Sequence, residues 1–409
     1  MIINKNCHLI NGAKNSAIYD LNNNKVYSIN HDARIIIEKA IKKQKLEQNE
    51  SEFICRLKEQ NLFDINEIKE EDNLNFKEEP KLHFAWLELT ENCNLNCVHC
   101  YGKFGKPTNM ENNLNINEWK KVVDYLVSID CKSIQLIGGE PLLFKDFNEI
   151  LKYIHNKGIK QISVFTNATL LTAEQIQLFS KYDVKVSISL YSSRENTHDK
   201  VTQVNGSFSK TFKNINLLKE NGINISIAVI AMKENEDTIN EIKDFLEKHN
   251  LPYKKYDVIR PGEISDVQEH GIANVDLLKN VYLTKPEFFT NKMQFYRNSI
   301  WNPCWYGKVA ITADGNIIPC VFGRNESIGN IRESTIEELR KNTLKKWIIT
   351  KDFIQGCKDC EYRYCCHDCR PLALGINDNL FSKNPRCCYD PYKGEWQDIK
   401  KVTKELCIK

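Results

Sequence analysis

The sequence lacks the marks of several large classes of protein. It has no surplus of charge: 57 Lys and Arg face 54 Asp and Glu, a net +3 over 409 residues. That balance leaves no basic footprint for nucleic acid or for an anionic membrane surface. No stretch approaches the ~18 consecutive apolar residues of a membrane span. The first residues, MIINKNCHLINGAKNSAIYD, contain no basic region followed by an apolar run, so no secretion signal is expected and the expected location is cytoplasmic. Cysteine, in contrast, is abundant. There are 16, and ten of them lie between positions 304 and 407. Without a secretion signal a disulfide framework is disfavoured, and clustered thiolates point to metal. With 41% apolar residues the chain can bury a substantial core, and its length implies two or three domains.

The pattern along the chain changes twice. Residues 1–66 read as a small unit of their own. AIYDL at 17–21 and KVYSI at 25–29 alternate around an NNN turn as a hairpin. Asn30 can cap a helix running to Ile41, and a second helical stretch covers about 50–60. An acidic segment with few apolar residues, 67–80, ends in Pro80 and reads as a linker. From 81 to 299 apolar strands alternate with amphipathic helices. The strands are 82–89, 133–137, 161–166, 184–190, 224–231 and 254–259, with helices such as 116–129 and 209–220 between them. This alternation predicts a parallel sheet with crossover helices, an α/β fold whose six units could close into part of a barrel. Residues 300–409 form a less regular, cysteine-rich region.

Four chemical features fall at the ends of these strands. NCNLNCVHCYG follows the first and holds Cys93, Cys97 and Cys100 as C-x3-C-x2-C. Gly138-Gly139-Glu140-Pro141 follows the second, Asn167 ends the third, and Ser189 lies on the fourth. In barrel-like parallel folds catalysis sits at that end of the strands. Taken singly, GGEP is an ordinary turn, a strand-end Ser or Asn is an ordinary hydrogen-bonding group, and three cysteines could join His99 or His83 in a zinc site. Together they favour another reading. Three thiolates can hold three irons of a [4Fe–4S] cube and leave the fourth open to a small molecule.

At these residues the sequence resembles the radical S-adenosylmethionine enzymes, over about 82–260. The resemblance implies that Cys93, Cys97 and Cys100 ligate a [4Fe–4S] cluster whose open iron chelates the methionine moiety of S-adenosylmethionine. Its reductive cleavage then yields a 5′-deoxyadenosyl radical. His99 takes the place of the aromatic residue before the last cysteine. Gly138, Gly139, Glu140 and Pro141 match the family's GGEP run at the methionine amino group. Asn167 and Ser189 match positions that contact the ribose and the carboxylate. The family's usual TNG is TNA here, with Ala168 in place of glycine.

Farther on, Cys304 and Cys320 bracket Gly315, followed by Cys357-x2-Cys360-x5-Cys366-x2-Cys369 and the pair Cys387-Cys388. Paired C-x2-C units signal metal, and spacing alone admits zinc or iron–sulfur. This region is similar to the SPASM domain, which implies two auxiliary [4Fe–4S] clusters. By that resemblance Cys304, Cys320 and Cys369 serve the first, which has either an open iron or a non-cysteine ligand. Cys357, Cys360, Cys366 and Cys387 serve the second. Cys365 competes with Cys366, and Cys388 with Cys387; the preferred pair is Cys366 and Cys387. Cys7, Cys55, Cys131 and Cys407 read as incidental thiols.

Residues 1–66 also resemble the winged-helix-like units with which ribosomal-peptide maturases bind a leader peptide by strand addition, and more loosely the start of grasp-with-SPASM maturases. The expectation is thus a three-part enzyme: leader-recognition unit, partial (β/α)6 barrel, SPASM domain. It would crosslink a ribosomally made precursor peptide through a thioether or carbon–carbon bond. Implied partners are the precursor peptide, an electron donor such as flavodoxin or ferredoxin, and an ATP-grasp ligase of the same pathway. The alternatives are oxidation of a Ser or Cys on a sulfatase-type protein, peptide epimerisation, and a zinc-rich binding protein without catalysis.

Overall fold

A computed structural model describes residues 1–64, 79–105, 112–260 and 268–407. Most of the expected linker, 67–80, lies outside the described residues. By internal contacts the chain divides into two compact units. One comprises 80–281 and 307–344; the other comprises 1–79, 282–306 and 345–409.

The first unit is of the α/β class, and its described residues form an eight-stranded mixed sheet and a separate two-stranded parallel pair. Strands β5 (Phe84–Glu88), β6 (Ser133–Ile137), β7 (Gln161–Thr166), β8 (Lys185–Ser189) and β9 (Ile225–Ala228) pair in parallel in chain order. One residue beyond β9, β10 (Ile230–Ala231) pairs in parallel with β11 (Asp257–Val258). The other edge departs from the sequence reading. Strand β12 (Lys308–Ile311) lies parallel to β5, and β13 (Asn316–Ile318) and β14 (Gly329–Asn330) continue antiparallel. These short strands come from the stretch read as irregular. They were illegible because four residues or fewer cannot show a period.

The crossover helices follow from their apolar spacing. Helix α3 (Ile116–Ser128) buries Trp119, Val122, Val123 and Leu126, one stripe at i, i+3, i+4 and i+7, and starts at an Asn115–Glu118 capping box. Helix α4 (Phe147–Asn156) buries Phe147, Ile150, Leu151 and Ile154 in the same pattern. Each such side chain contributes about 1.5–3 kcal/mol by burial. This packing holds the strand ends, and the loops on them, in fixed places.

The second unit opens with an antiparallel sheet, β1 (Ile2–Asn4), β2 (Cys7–Asn11), β3 (Ser16–Asp20) and β4 (Lys25–Ile29), then α1 (His31–Ile41) and α2 (Gln48–Glu59). Asn30 caps α1 through its side-chain oxygen, which accepts from the Ala33 amide. Both faces of this sheet are covered. Cys7, Leu9 and Ile18 pack with Ile37, Ile54 and Leu57 of the helices. Ile10, Ala17 and Tyr19 pack with Phe295, Tyr296, Tyr362 and Tyr389. The 1–64 segment therefore shares a core with the cysteine-rich end of the chain. The Gly12–Asn15 turn bonds that end through its backbone, Ala13 N–H to Asp359 O at 2.8 Å and Lys14 N–H to Pro391 O at 3.2 Å. β4 differs, being an edge strand with Lys25, Ser28 and Tyr27 largely outward.

Candidate active site

In the sheet unit a cavity of about 280 Å³ opens at the C-terminal ends of β5–β8. Cys93, Cys97, Cys100, His99, Gly138, Gly139, Asn167 and Ser189 all line it. The cysteine loop is pinned by its backbone. Asn96 N–H donates to Thr202 O at 3.0 Å and Val98 N–H to Val201 O at 3.0 Å, at the end of the helix Glu195–Thr202. The sulfurs receive backbone donors: Leu95 N–H reaches Cys93 Sγ and Phe104 N–H reaches Cys100 Sγ, each at 3.4 Å. Burial pushes the Cys93 thiol up to about 11 and raises Cys97 and Cys100 as well. Deprotonating all three therefore requires a compensating positive charge, which a bound metal would supply.

The glycines are needed for close approach. Gly139 N–H bonds Thr90 O at 2.8 Å and Glu140 N–H bonds Asn92 O at 2.7 Å, so this loop runs against the root of the cysteine loop. A Cβ at Gly138 would collide with the Thr90 carbonyl, and one at Gly139 with the Asn92 carbonyl.

Glu140 follows these glycines in the same loop. Its carboxylate is fully buried and is not among the lining groups. Oε1 accepts from Thr166 Oγ1 at 2.6 Å and from Leu142 N–H at 3.1 Å, and Oε2 accepts from Asn167 N–H at 2.8 Å. Glu140 thus ties the β6 loop to the end of β7. Desolvation pushes its pKa up to about 7 against these three bonds. Pro141 starts a single 3₁₀ turn and is buried outside the lining. Asn167 bonds Asn94 Oδ1 at 3.0 Å and accepts from Thr169. Ala168 follows in left-handed backbone, φ 58°, the region that glycine enters without cost.

Several lining groups escaped the sequence reading. Tyr191, two residues past Ser189, stands edge-on to His99 with ring centroids 4.7 Å apart. Burial lowers the His99 pKa to about 4, so its ring is neutral. Trp86 and Gln135 face the cavity from β5 and β6, with Trp86 Nε1 donating to Gln135 Oε1 at 3.1 Å. Period-two counting along those strands could have found both, because alternate residues share a face. Val321 and Phe322, after β13, had no such signal. Cys320, like Tyr101 and Trp86, packs against the buried cluster of Ile137, Ala310, Ile318 and Val321. Behind the cavity wall Arg324 Nη1 bonds both oxygens of buried Glu88, at 2.9 and 3.1 Å, and its guanidinium covers Phe104. No Lys, Arg, Asp or Glu is among the described residues lining the cavity.

The other unit gathers a second set of thiols. Cys357, Cys360, Cys366 and Cys387 line one small pocket. Cys365 points elsewhere: its sulfur takes the Tyr19 hydroxyl at 3.4 Å and meets Tyr362 O at 3.3 Å, inside the apolar core. Cys388 is fully buried and outside the pocket. Burial pushes the Cys357 thiol up to about 12. Cys304 and Cys369 belong to this unit, whereas Cys320 belongs to the sheet unit. Cys7 and Cys131 are buried in apolar surroundings and Cys55 is exposed. No described helix is long and apolar enough to cross a membrane.

Comparison with known families matches residues 87–246 to the radical SAM superfamily and 304–370 to the SPASM iron–sulfur cluster-binding domain. The chain thus carries a radical SAM region and a SPASM domain. It is 27% identical to the antilisterial bacteriocin subtilosin biosynthesis protein AlbA of Bacillus subtilis, over 75% of this chain and 70% of that one. It is 25% identical to the Fe-coproporphyrin III synthase of Methanosarcina barkeri, over 77% and 89%. Among solved structures, SuiB of Streptococcus suis bound to its precursor peptide SuiA matches with a TM-score of 0.54 at 14% identity, over 93% of this chain and 98% of that one. S-adenosylmethionine and iron–sulfur clusters are accordingly its cofactors. The donor set fits them: three thiols ring a cavity beside a backbone bare of Cβ atoms, and four line a second pocket.

Proposed function

We propose that this radical SAM protein matures a ribosomally made precursor peptide, joining a thioether or a carbon–carbon crosslink. Within it we assign Cys93, Cys97 and Cys100 to the reactive cluster. Gly138, Gly139, Asn167 and Ser189 go to S-adenosylmethionine, and His99 and Tyr191 to the aromatic wall beside it. Glu140 then acts by holding the loop that presents the glycine backbone. The bound cofactors supply a carbon-centred radical that removes hydrogen from an unactivated carbon. The chain's residues hold the reacting carbon in place and keep water out, with Trp86, Phe165 and Phe322 as apolar walls and Gln135 as a neutral polar group.

The observation that carries this reading is the neutral, largely aromatic and apolar lining of the cavity among the described residues. A peptide side chain flanked by its own amides suits such walls. A tetrapyrrole bearing several carboxylates, as the likeness to the coproporphyrin enzyme would suggest, calls for cations, and among the described residues lining the cavity there is no Lys or Arg. We read residues 1–66 as the winged-helix-like, leader-binding unit, with the edge of β4 beyond the Lys25–Phe289 bridge as a place for strand addition. The barrel assignment over 81–299 and the SPASM assignment over 300–409, with Cys304, Cys320 and Cys369 at the first auxiliary cluster, belong to the same proposal. So do a flavodoxin- or ferredoxin-type electron donor and an ATP-grasp ligase as partners. The test is mass spectrometry of short peptides encoded beside the gene, co-expressed with this protein or with its Cys93→Ala variant. Loss of two hydrogens per event, absent with the variant, is expected. An unchanged mass with intact clusters would sink the crosslinking reading and leave epimerisation, which conserves mass.

A further inference from the structure

The four-thiol pocket holds a group that the chemistry above does not use. Lys351 is 2% exposed and lies on the same pocket as Cys357, Cys360, Cys366 and Cys387. Its Nζ donates to His367 O at 2.8 Å, the same carbonyl that the Cys366 sulfur meets at 3.3 Å. Two other cations border the pocket, and both are committed elsewhere. Arg363 pairs with Asp352 at 3.0 Å and bonds the Asn11 and Cys360 carbonyls. Lys383 is partly exposed and donates to Tyr389 O at 2.9 Å. Nearby Asp368 is bound by Arg370 at 2.6 Å, both side chains being buried. Lys351 therefore presents a water-excluded ammonium to the thiols themselves.

We propose that Lys351 is a positioning residue for electron transfer, one that raises the reduction potential of the second auxiliary cluster. This rests on assigning that cluster to the four thiols of the pocket. A cube held by four thiolates is already a net anion, and reduction adds one electron with no bond made or broken and no proton required. In a buried pocket the added charge is costly, and a fixed cation beside a ligand sulfur offsets it. Little water or salt intervenes to screen the field. The consequence is a cluster set to accept an electron, the role required where a substrate radical must lose one to close a crosslink.

The test is an anaerobic potentiometric titration of the full-length holoprotein with dithionite, read by electron paramagnetic resonance. The Cys366→Ala variant marks which signal belongs to the pocket. If that variant keeps its full iron and every signal, the four-thiol assignment fails, whatever Lys351 does. With the signal assigned, Lys351→Met should shift its midpoint to a more negative potential, and Lys351→Arg should stay near the wild type. At the wild-type midpoint, where half the clusters are reduced, the Met variant should be reduced several-fold less. Full iron with an unmoved midpoint in Lys351→Met would overturn the proposal. Loss of the pocket's iron from both Lys351→Met and Lys351→Gln would overturn it too, because Lys351 would then be a support of the fold.

Discussion

The two thiol sites differ as the roles proposed for them, reaction chamber and electron store, require. One places three cysteines around a cavity of about 280 Å³, with aromatic and neutral groups on its walls and two glycines admitting the backbone. The other places four cysteines around a small pocket bordered by Lys351, Arg363 and Lys383. Three ligands leave an iron open to a substrate-like molecule; four close the cluster, and its surroundings then set only its potential. Neither feature is a matter of cysteine spacing. The first depends on strand ends that bring distant loops to one place, and the second on a buried lysine contributed by a short turn.

The comparison can be broken in graded steps. The largest effect belongs to Cys93→Ala, Cys97→Ala or Cys100→Ala. Each should reduce S-adenosylmethionine cleavage to background, measured as 5′-deoxyadenosine, while the pocket's iron remains. Next, Cys366→Ala should lower bound iron by about four per chain. Cys365→Ala should leave iron content intact and cost about 1 kcal/mol of stability, because that thiol sits in the core against Tyr19. The same contrast is expected of Cys387→Ser and Cys388→Ser in iron content.

A smaller effect concerns pH. The Glu140 carboxyl rises from an ordinary 4.5 to about 7 in the fold because it is buried. It holds its proton more tightly folded than unfolded. Its contribution is thus fully present below 4.5 and is lost as pH rises through about 7, on the order of 3 kcal/mol in all. Urea unfolding between pH 5 and 8 should show this slope, and Glu140→Gln should flatten it. The smallest effect is at Ala168, whose φ of 58° carries a steric cost that glycine avoids. Ala168→Gly should raise stability by about 1 kcal/mol or less in the same assay.

Much of this contrast was legible in the sequence because chemistry and periodicity coincide there. The strands at 133–137 and 161–166 were readable as short apolar runs between turns, and they put GGEP and Asn167 where the cavity is. Asn30 was readable as a cap because its side chain has one evident use, accepting from the first turn of a helix. The unreadable parts depend on contacts across the chain. Glu140 was readable only as part of the GGEP run; the fold shows Thr166 and Asn167 meeting its carboxylate. Strand β12 gained its place through β5, more than 200 positions earlier. Lys351 carried no motif at all, and its burial beside Cys366 arises from the packing of a turn against a loop.

The most direct test of the contrast is the electron paramagnetic resonance spectrum of the dithionite-reduced protein with and without S-adenosylmethionine. It would be recorded for the wild type, for a variant with Cys93, Cys97 and Cys100 all changed to Ala, and for Cys366→Ala. The predicted result is a spectral change on adding S-adenosylmethionine that survives in Cys366→Ala and vanishes in the triple variant. A change that persists without Cys93, Cys97 and Cys100 would place the open iron elsewhere and contradict the account.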